Sequence, residues 1–210
     1  MSVPIILAVA VVVLAVAVGV AIGRQKDSQR RAGTLMKTGL AIMTVFTLVA
    51  GAFIGGYAMD EPGGQAGLML ILSWAAPALV LAALAWFWPA GSAPLLVALT
   101  AVLVAVCVWF ALDPAAARSF HDVTGPVLAI GVVVLAFAAA VLGLKQTRTA
   151  GWLLLTLGAV PLLLTVLARS GPLAAASVVP LVPGVLYLVV VRLQGPRVAP
   201  GTAHIAWNGS

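Results

Sequence analysis

Apolar residues occupy this chain in long unbroken blocks, without the face-to-face alternation of a surface helix or a half-buried strand. Seven such blocks stand out: Val3–Ile22, Gly39–Tyr57, Gly67–Trp88, Leu95–Leu112, Val127–Leu144, Ala150–Ala168 and Leu173–Val191. Each gap between them holds turn formers, charges or both. A helix crosses a hydrocarbon core of about 30 Å with about 20 mostly apolar residues, and most of the blocks are close to that length. They are apolar all round, which predicts lipid-embedded helices and excludes the dyad pattern of barrel strands. The expected fold is all-α: a polytopic integral membrane protein with seven transmembrane helices. Residues 1–192 form the transmembrane domain and 193–210 a short tail. Asp113 followed by Pro114 predicts an N-cap and a first helical residue, hence a further short helix over 114–122 at the interface.

Composition agrees with the pattern. Of the 210 residues 63% are hydrophobic and 8% are charged, and the mean hydropathy is +1.20. Soluble domains carry about 25% charged residues, so a soluble enzyme, a nucleic-acid-binding domain and a disordered chain are excluded. The single cysteine, Cys107, sits in an apolar run, forms no CxxC motif and reads as a small packing residue.

The placement of the charges gives an orientation. No Lys or Arg precedes the first block, and Arg24, Lys26, Arg30 and Arg31 follow it, the reverse of a signal peptide. The first block therefore reads as an uncleaved helix with its N-terminus outside. The inner segments are then 23–38, 89–94, 145–149 and 192–210, holding nine of the eleven basic residues; Arg118 and Arg169 are outside. Asp27 is inside, and Asp60, Glu61, Asp113 and Asp122 are outside. This is a positive-inside distribution with the C-terminus in the cytoplasm. Tyr57, Trp109 and Phe110 fall at outer ends and Trp86, Trp88 and Trp152 at inner ends, as interfacial rings do. Short loops and the lack of a eukaryotic targeting signal place the chain in a bacterial plasma membrane. The basic 23–38 segment is suited to anionic headgroups.

An internal repeat is also legible. Leu7–Gln25 set against Leu128–Gln146 gives ten identities in nineteen positions. The pairing joins spans of one orientation, residues 3–88 with 127–191, and leaves the helix over 95–112 as a linker. A three-plus-one-plus-three parallel arrangement is similar in architecture to that of SWEET-type transporters, although the chain has no Pro-Gln dipeptide, the signature of that family. Small residues recur every four positions at Ala15/Gly19/Gly23, Gly51/Gly55 and Ala139/Gly143, the spacing that lets helices approach closely, within the chain or toward a second copy or a membrane partner. Pro77, Pro161, Pro180 and Pro183 interrupt three spans.

Chemistry is scarce. No Asp, Glu, Lys, Arg or His lies deep inside any span, which argues against a proton relay or a charged ion pathway, and the seventh span lacks the lysine that would bind retinal. The polar groups within spans are neutral: Thr44, Thr47, Ser73, Trp74, Thr156, Ser177 and Tyr187. These are the candidate substrate-binding residues, expected to face a central pocket for a neutral or lipidic ligand; the alternative for each hydroxyl is a bond to its own helix. Asp60, Glu61, Asp113, His121 and Asp122 form a candidate outer-face acidic cluster. A membrane-embedded enzyme using these carboxylates on a lipidic or isoprenoid substrate, and a non-catalytic scaffold, are the competing functions. No GxSxG, Walker, GxGxxG, HExxH or His-box motif occurs, so no metal or cofactor is expected. The leading expectation is a small-solute transporter or permease-like protein.

Overall fold

The computed structural model describes residues 28–60, 64–124, 127–168 and 172–194. The block Val3–Ile22, the charges Arg24, Lys26, Asp27, Glu61 and Arg169, and the tail lie outside the described residues. The described residues form seven helices in order: α1 Ser28–Asp60, α2 Gly64–Phe87, α3 Pro89–Leu112, α4 Pro114–Thr124, α5 Val127–Leu142, α6 Thr147–Ala168 and α7 Pro172–Gln194. Among the described residues there is no strand. Five helices (α1, α2, α3, α6 and α7) are long and apolar enough to cross a membrane, and α5 is equally apolar but shorter. Their most exposed side chains include Phe53, Phe87 and Leu112, each at least 80% exposed. Large apolar groups pointing outward suggest a lipid bilayer as the surrounding solvent.

Helix ends depart from the hydropathy blocks in three places. First, the segment 23–38 was expected to be a loop, yet α1 is already helical at Ser28. Charge excludes a residue from hydrocarbon, not from a helix. The 33 residues of α1 rise about 50 Å, well beyond a core of about 30 Å, so turns carrying Arg30, Arg31 and Lys37 can stand clear of it. Second, residues 89–94 were expected between spans and instead form the first turns of α3. Trp88 alone joins α2 to α3, and Pro89 takes the first helical position, where the missing N–H costs nothing. Gly91 accommodates the Trp88 indole; a Cβ there would stand 2.8 Å from the ring. Third, the block ending at Leu144 yields a helix ending at Leu142, followed by a turn over 143–145. The short helix expected over 114–122 is present as α4. The Asp113 carboxylate accepts from the N–H groups of Ala115 (3.1 Å) and Ala116 (3.0 Å), as an N-cap does. Phe120 of α4 packs on Phe110 of α3 with ring centroids 5.1 Å apart.

The bundle is organised around α5, which packs against α1, α2, α3, α6 and α7. Its residues Val132–Ala136 and Ala138–Ala140 are all buried, the signature of a helix surrounded on every side. A helix sheathed by protein need not match the bilayer thickness, which reconciles its 16 residues with a central position. The α6–α7 seam is the tightest contact. Gly158 faces the Ser177 carbonyl and Leu181, and Gly184 faces the backbone of Leu155. Small residues here let two backbones approach, as in membrane interfaces generally. The packing of the described helices is unsymmetrical: α1 lies along α7, whereas α2 has no comparable contact with α6.

Tyr187 pins α7 to the centre. Its ring is fully buried between Gly39 of α1 and Gly143 after α5. At the end of α5 the Leu144 N–H turns to Val141 (3.2 Å), so the Ala140 carbonyl is left without its usual helical donor. The Tyr187 hydroxyl donates to that carbonyl at 2.9 Å. A matching clasp joins the α5–α6 turn to the α2–α3 corner. Lys145 Nζ donates to the Trp86 carbonyl and stands 5.2 Å from the centre of the Trp86 ring, while Gln146 Nε2 donates to the Pro89 carbonyl at 3.1 Å. A carbonyl near a proline-blocked junction thereby gains a side-chain donor.

Candidate functional site

The fold gathers three of the seven neutral candidates and separates the other four. Thr44, Thr47 and Trp74 line one cleft of about 300 Å³ between α1 and α2, closed at the back by Phe137 of α5. Ser73, one residue before Trp74, is exposed and donates to the Leu70 carbonyl at 2.7 Å. Thr156 donates to the Trp152 carbonyl at 2.9 Å. Ser177 is fully buried in α7, next to Gly158. Tyr187 occupies the glycine-lined slot described above. None of these four lines the cleft.

Helix geometry explains the grouping. Thr44, Thr47, Leu48 and Gly51 follow the i, i+3, i+4, i+7 spacing and share one face of α1. On α2 the pairs Trp74/Ala78 and Ala75/Leu79, each four residues apart, lie side by side on the face toward the cleft. Gly51 is the seat of the indole: a Cβ at that position would stand 2.5 Å from Trp74 Cη2. The sequence signalled Gly51 only as part of a small-residue spacing, and Phe137 carried no signal at all, because its place depends on how α5 meets α1 and α2.

The polar groups of the cleft are not equally committed. Thr44 Oγ1 donates to the Leu40 carbonyl at 2.9 Å, the ordinary back-bond of a helical threonine. Thr47 is 9% exposed, and its Oγ1 is buried without a hydrogen-bond partner, as is the Nε1 of Trp74. An indole N–H can only donate; a hydroxyl can donate and accept. A buried polar group left unpaired costs about 1–3 kcal/mol, and in the bilayer no surrounding solvent repays it. Both residues line the cleft, and each of these two polar atoms is itself covered by protein atoms. The remaining lining, Leu48, Gly51, Ala52, Ala75, Ala78, Leu79 and Phe137, is apolar, and among the described residues no charged side chain borders the cleft.

Of the five outer acidic candidates, two have described side chains. Asp60 and Asp113 are exposed at the ends of α1 and α3, and Asp113 is engaged in capping α4. Glu61 and the side chains of His121 and Asp122 lie outside the described residues. Among the described residues no group of three His, Cys, Asp or Glu side chains could hold a metal ion. A second cavity of about 500 Å³ lies between α2, α3 and α5, lined by Pro77, Leu99, Leu103, Gly131 and Leu135 among others, with no polar side chain among the described residues. No family model, no curated protein and no solved structure matches the chain.

Proposed function

We propose that the protein is a small-solute transporter or permease-like protein whose neutral intramembrane binding site is the α1–α2 cleft. In this reading the chain has seven spans, with its N-terminus outside and its C-terminus in the cytoplasm of a bacterial cell. The charge distribution of the sequence supports the orientation, and the ten identities between Leu7–Gln25 and Leu128–Gln146 support an ancestral three-plus-one-plus-three repeat. The observation that supports the functional reading is the cleft itself, about 300 Å³ and bordered by Thr47 and Trp74, residues near the midpoints of their helices. Absence of charge in the cleft fits an uncharged ligand, since burying an unpaired ion is far more costly than burying a neutral dipole.

Flux measurements test the proposal. Purified protein in proteoliposomes is assayed with a panel of radiolabelled uncharged solutes (polyols, amides and short alcohols). Uptake of at least one above empty vesicles, reduced several-fold by Trp74→Phe and by Thr47→Val, is the expected result. Uptake equal to empty vesicles across the panel overturns the reading.

A further inference from the structure

The α6–α7 seam ends in charge. Gly158 meets Leu181 and, two turns nearer the start of α6, Gly151 meets Leu188; a Cβ on these glycines would stand 2.7 Å and 2.9 Å from the leucine side chains. This antiparallel register continues to the end of the bundle. Arg148 lies three positions before Gly151 and Arg192 four after Leu188, spacings that keep a residue on the same helix face. The two arginines therefore stand at one level on neighbouring helices, and both are exposed. Trp152 and Val189 each follow a seam residue by one position. In an antiparallel pair this turn of about 100° carries both to the same side of the seam. Val185, three positions before Leu188, joins them there, and all three are exposed. Three positions back and four positions on rotate the arginines by about 60° and 40° toward that side as well. The outward side of the seam is thus an apolar strip with two arginines at its end.

We infer that this strip is a binding site for an anionic phospholipid of the phosphatidylglycerol class, its phosphodiester held between Arg148 and Arg192 and its chains lying along Trp152, Val185 and Val189. The inference is independent of the α1–α2 cleft. Charge is the first argument. Val190 packs with Ala32 and Leu35 near the start of α1, and Gln146 bonds the start of α3. Asp60 and Asp113, at the far ends of those helices, are therefore at the opposite end of the bundle. Among the described residues no carboxylate is placed to neutralise the two arginines; Asp27, just before α1, lies outside the described residues. Adjacent guanidinium groups repel, and an anion between them turns repulsion into attraction. Their planar forks suit phosphate oxygens in particular. Shape is the second argument. Trp152, four positions from Arg148, and the two valines continue the strip from the arginines toward the acyl region, which a free phosphate would leave uncovered and a lipid covers. A zwitterionic headgroup fits less well, because its ammonium adds a third cation beside the pair. In the orientation proposed above, this end meets the cytoplasmic leaflet, where basic pockets between helices take anionic headgroups.

The test uses the full-length protein in mild detergent, titrated with phosphatidylglycerol or with phosphatidylcholine of identical acyl chains, bound lipid being counted by native mass spectrometry. The wild type binds its first phosphatidylglycerol about tenfold more tightly than phosphatidylcholine, the low end of what one charge-assisted hydrogen bond contributes. Arg148→Gln and Arg192→Gln each remove most of that preference and leave phosphatidylcholine binding unchanged. Arg148→Lys restores part of it, since an ammonium keeps the charge without the fork. Lys37→Gln deletes an exposed positive charge from the same end and shifts the preference by less than about twofold, as for a solvated charge that makes no contact. Equal affinity of the wild type for the two lipids overturns the inference without reference to any variant. A loss with Lys37→Gln as large as with the arginine variants also overturns it, because the preference then belongs to the overall charge of that end. Displacement of the lipid by an equal concentration of glycerol phosphate, which carries the phosphate without the chains, assigns the arginines to a soluble anion and overturns the lipid site.

Discussion

Replacing Gly143 by alanine places a methyl group against the face of Tyr187. The new Cβ would overlap Cε2 of the ring and stand 2.7 Å from Cδ2 and Cζ, whereas carbon atoms settle at about 3.5–4.0 Å. Relief requires the ring to move by about 1 Å. The opposite face is closed by Gly39, where even the nearest position for a Cβ is 2.8 Å from Cε1, and any such shift draws the hydroxyl away from the Ala140 carbonyl at 2.9 Å. Overpacking of this kind costs about 1–3 kcal/mol, and a weakened buried hydrogen bond adds about 1 kcal/mol. The expected destabilisation is about 2–4 kcal/mol, although alanine for glycine is by itself neutral or favourable to an ordered backbone of negative φ. For a chain of this size that is roughly 5–15 °C in Tm. Cys107, the single cysteine and a buried one, reports unfolding directly through a thiol-reactive fluorophore in detergent or nanodiscs. The decisive comparison is made in a Tyr187→Leu background, where Gly143→Ala has no ring to displace and should cost less than about 1 kcal/mol, the difference being the coupling energy of the pair. An unchanged Tm for Gly143→Ala, or the same loss in both backgrounds, would refute the reasoning.

Two further substitutions address the remaining contacts. Lys145→Met removes the donor to the Trp86 carbonyl and the cation over its ring; a loss of about 1–2 kcal/mol in the same thermal assay is expected, with Lys145→Arg less harmful, since it keeps a donor and a cation. Asp113→Ala removes the acceptor shared by the Ala115 and Ala116 amides. Hydrogen exchange at those two positions should accelerate by about 5–10-fold, corresponding to a cap of about 1 kcal/mol, while exchange in α5 stays unchanged and Asp113→Asn restores most of the protection.

Several elements were legible in the order of residues. The blocks Gly39–Tyr57 and Val127–Leu144 fall within α1 and on α5 with its following turn, and Asp113-Pro114 marks the start of α4. The ends were less legible wherever polarity and helicity part company. Arg30, Arg31 and Lys37 are helical though too polar for hydrocarbon, and Pro89–Pro94 reads as a break while forming the first turns of α3. The candidate site was legible only as a list of neutral side chains. Nothing in the chain order separates Thr47, left unpaired in a cleft, from Thr156, satisfied by its own helix.

The sequence alone determined that the protein is helical and built for lipid, because hydrocarbon tolerates only backbones that satisfy their own hydrogen bonds over a fixed thickness. Tertiary structure decided which helix is central and which polar groups meet. Every long helix here is apolar on all sides, so hydrophobicity assigns no inward face. Helices in lipid choose neighbours by shape, and in this molecule the shapes are those of glycines and the rings that fit them, Gly51 beneath Trp74 and Gly39 and Gly143 around Tyr187. Such pairings join residues far apart in the chain, and they come into being only when the helices pack.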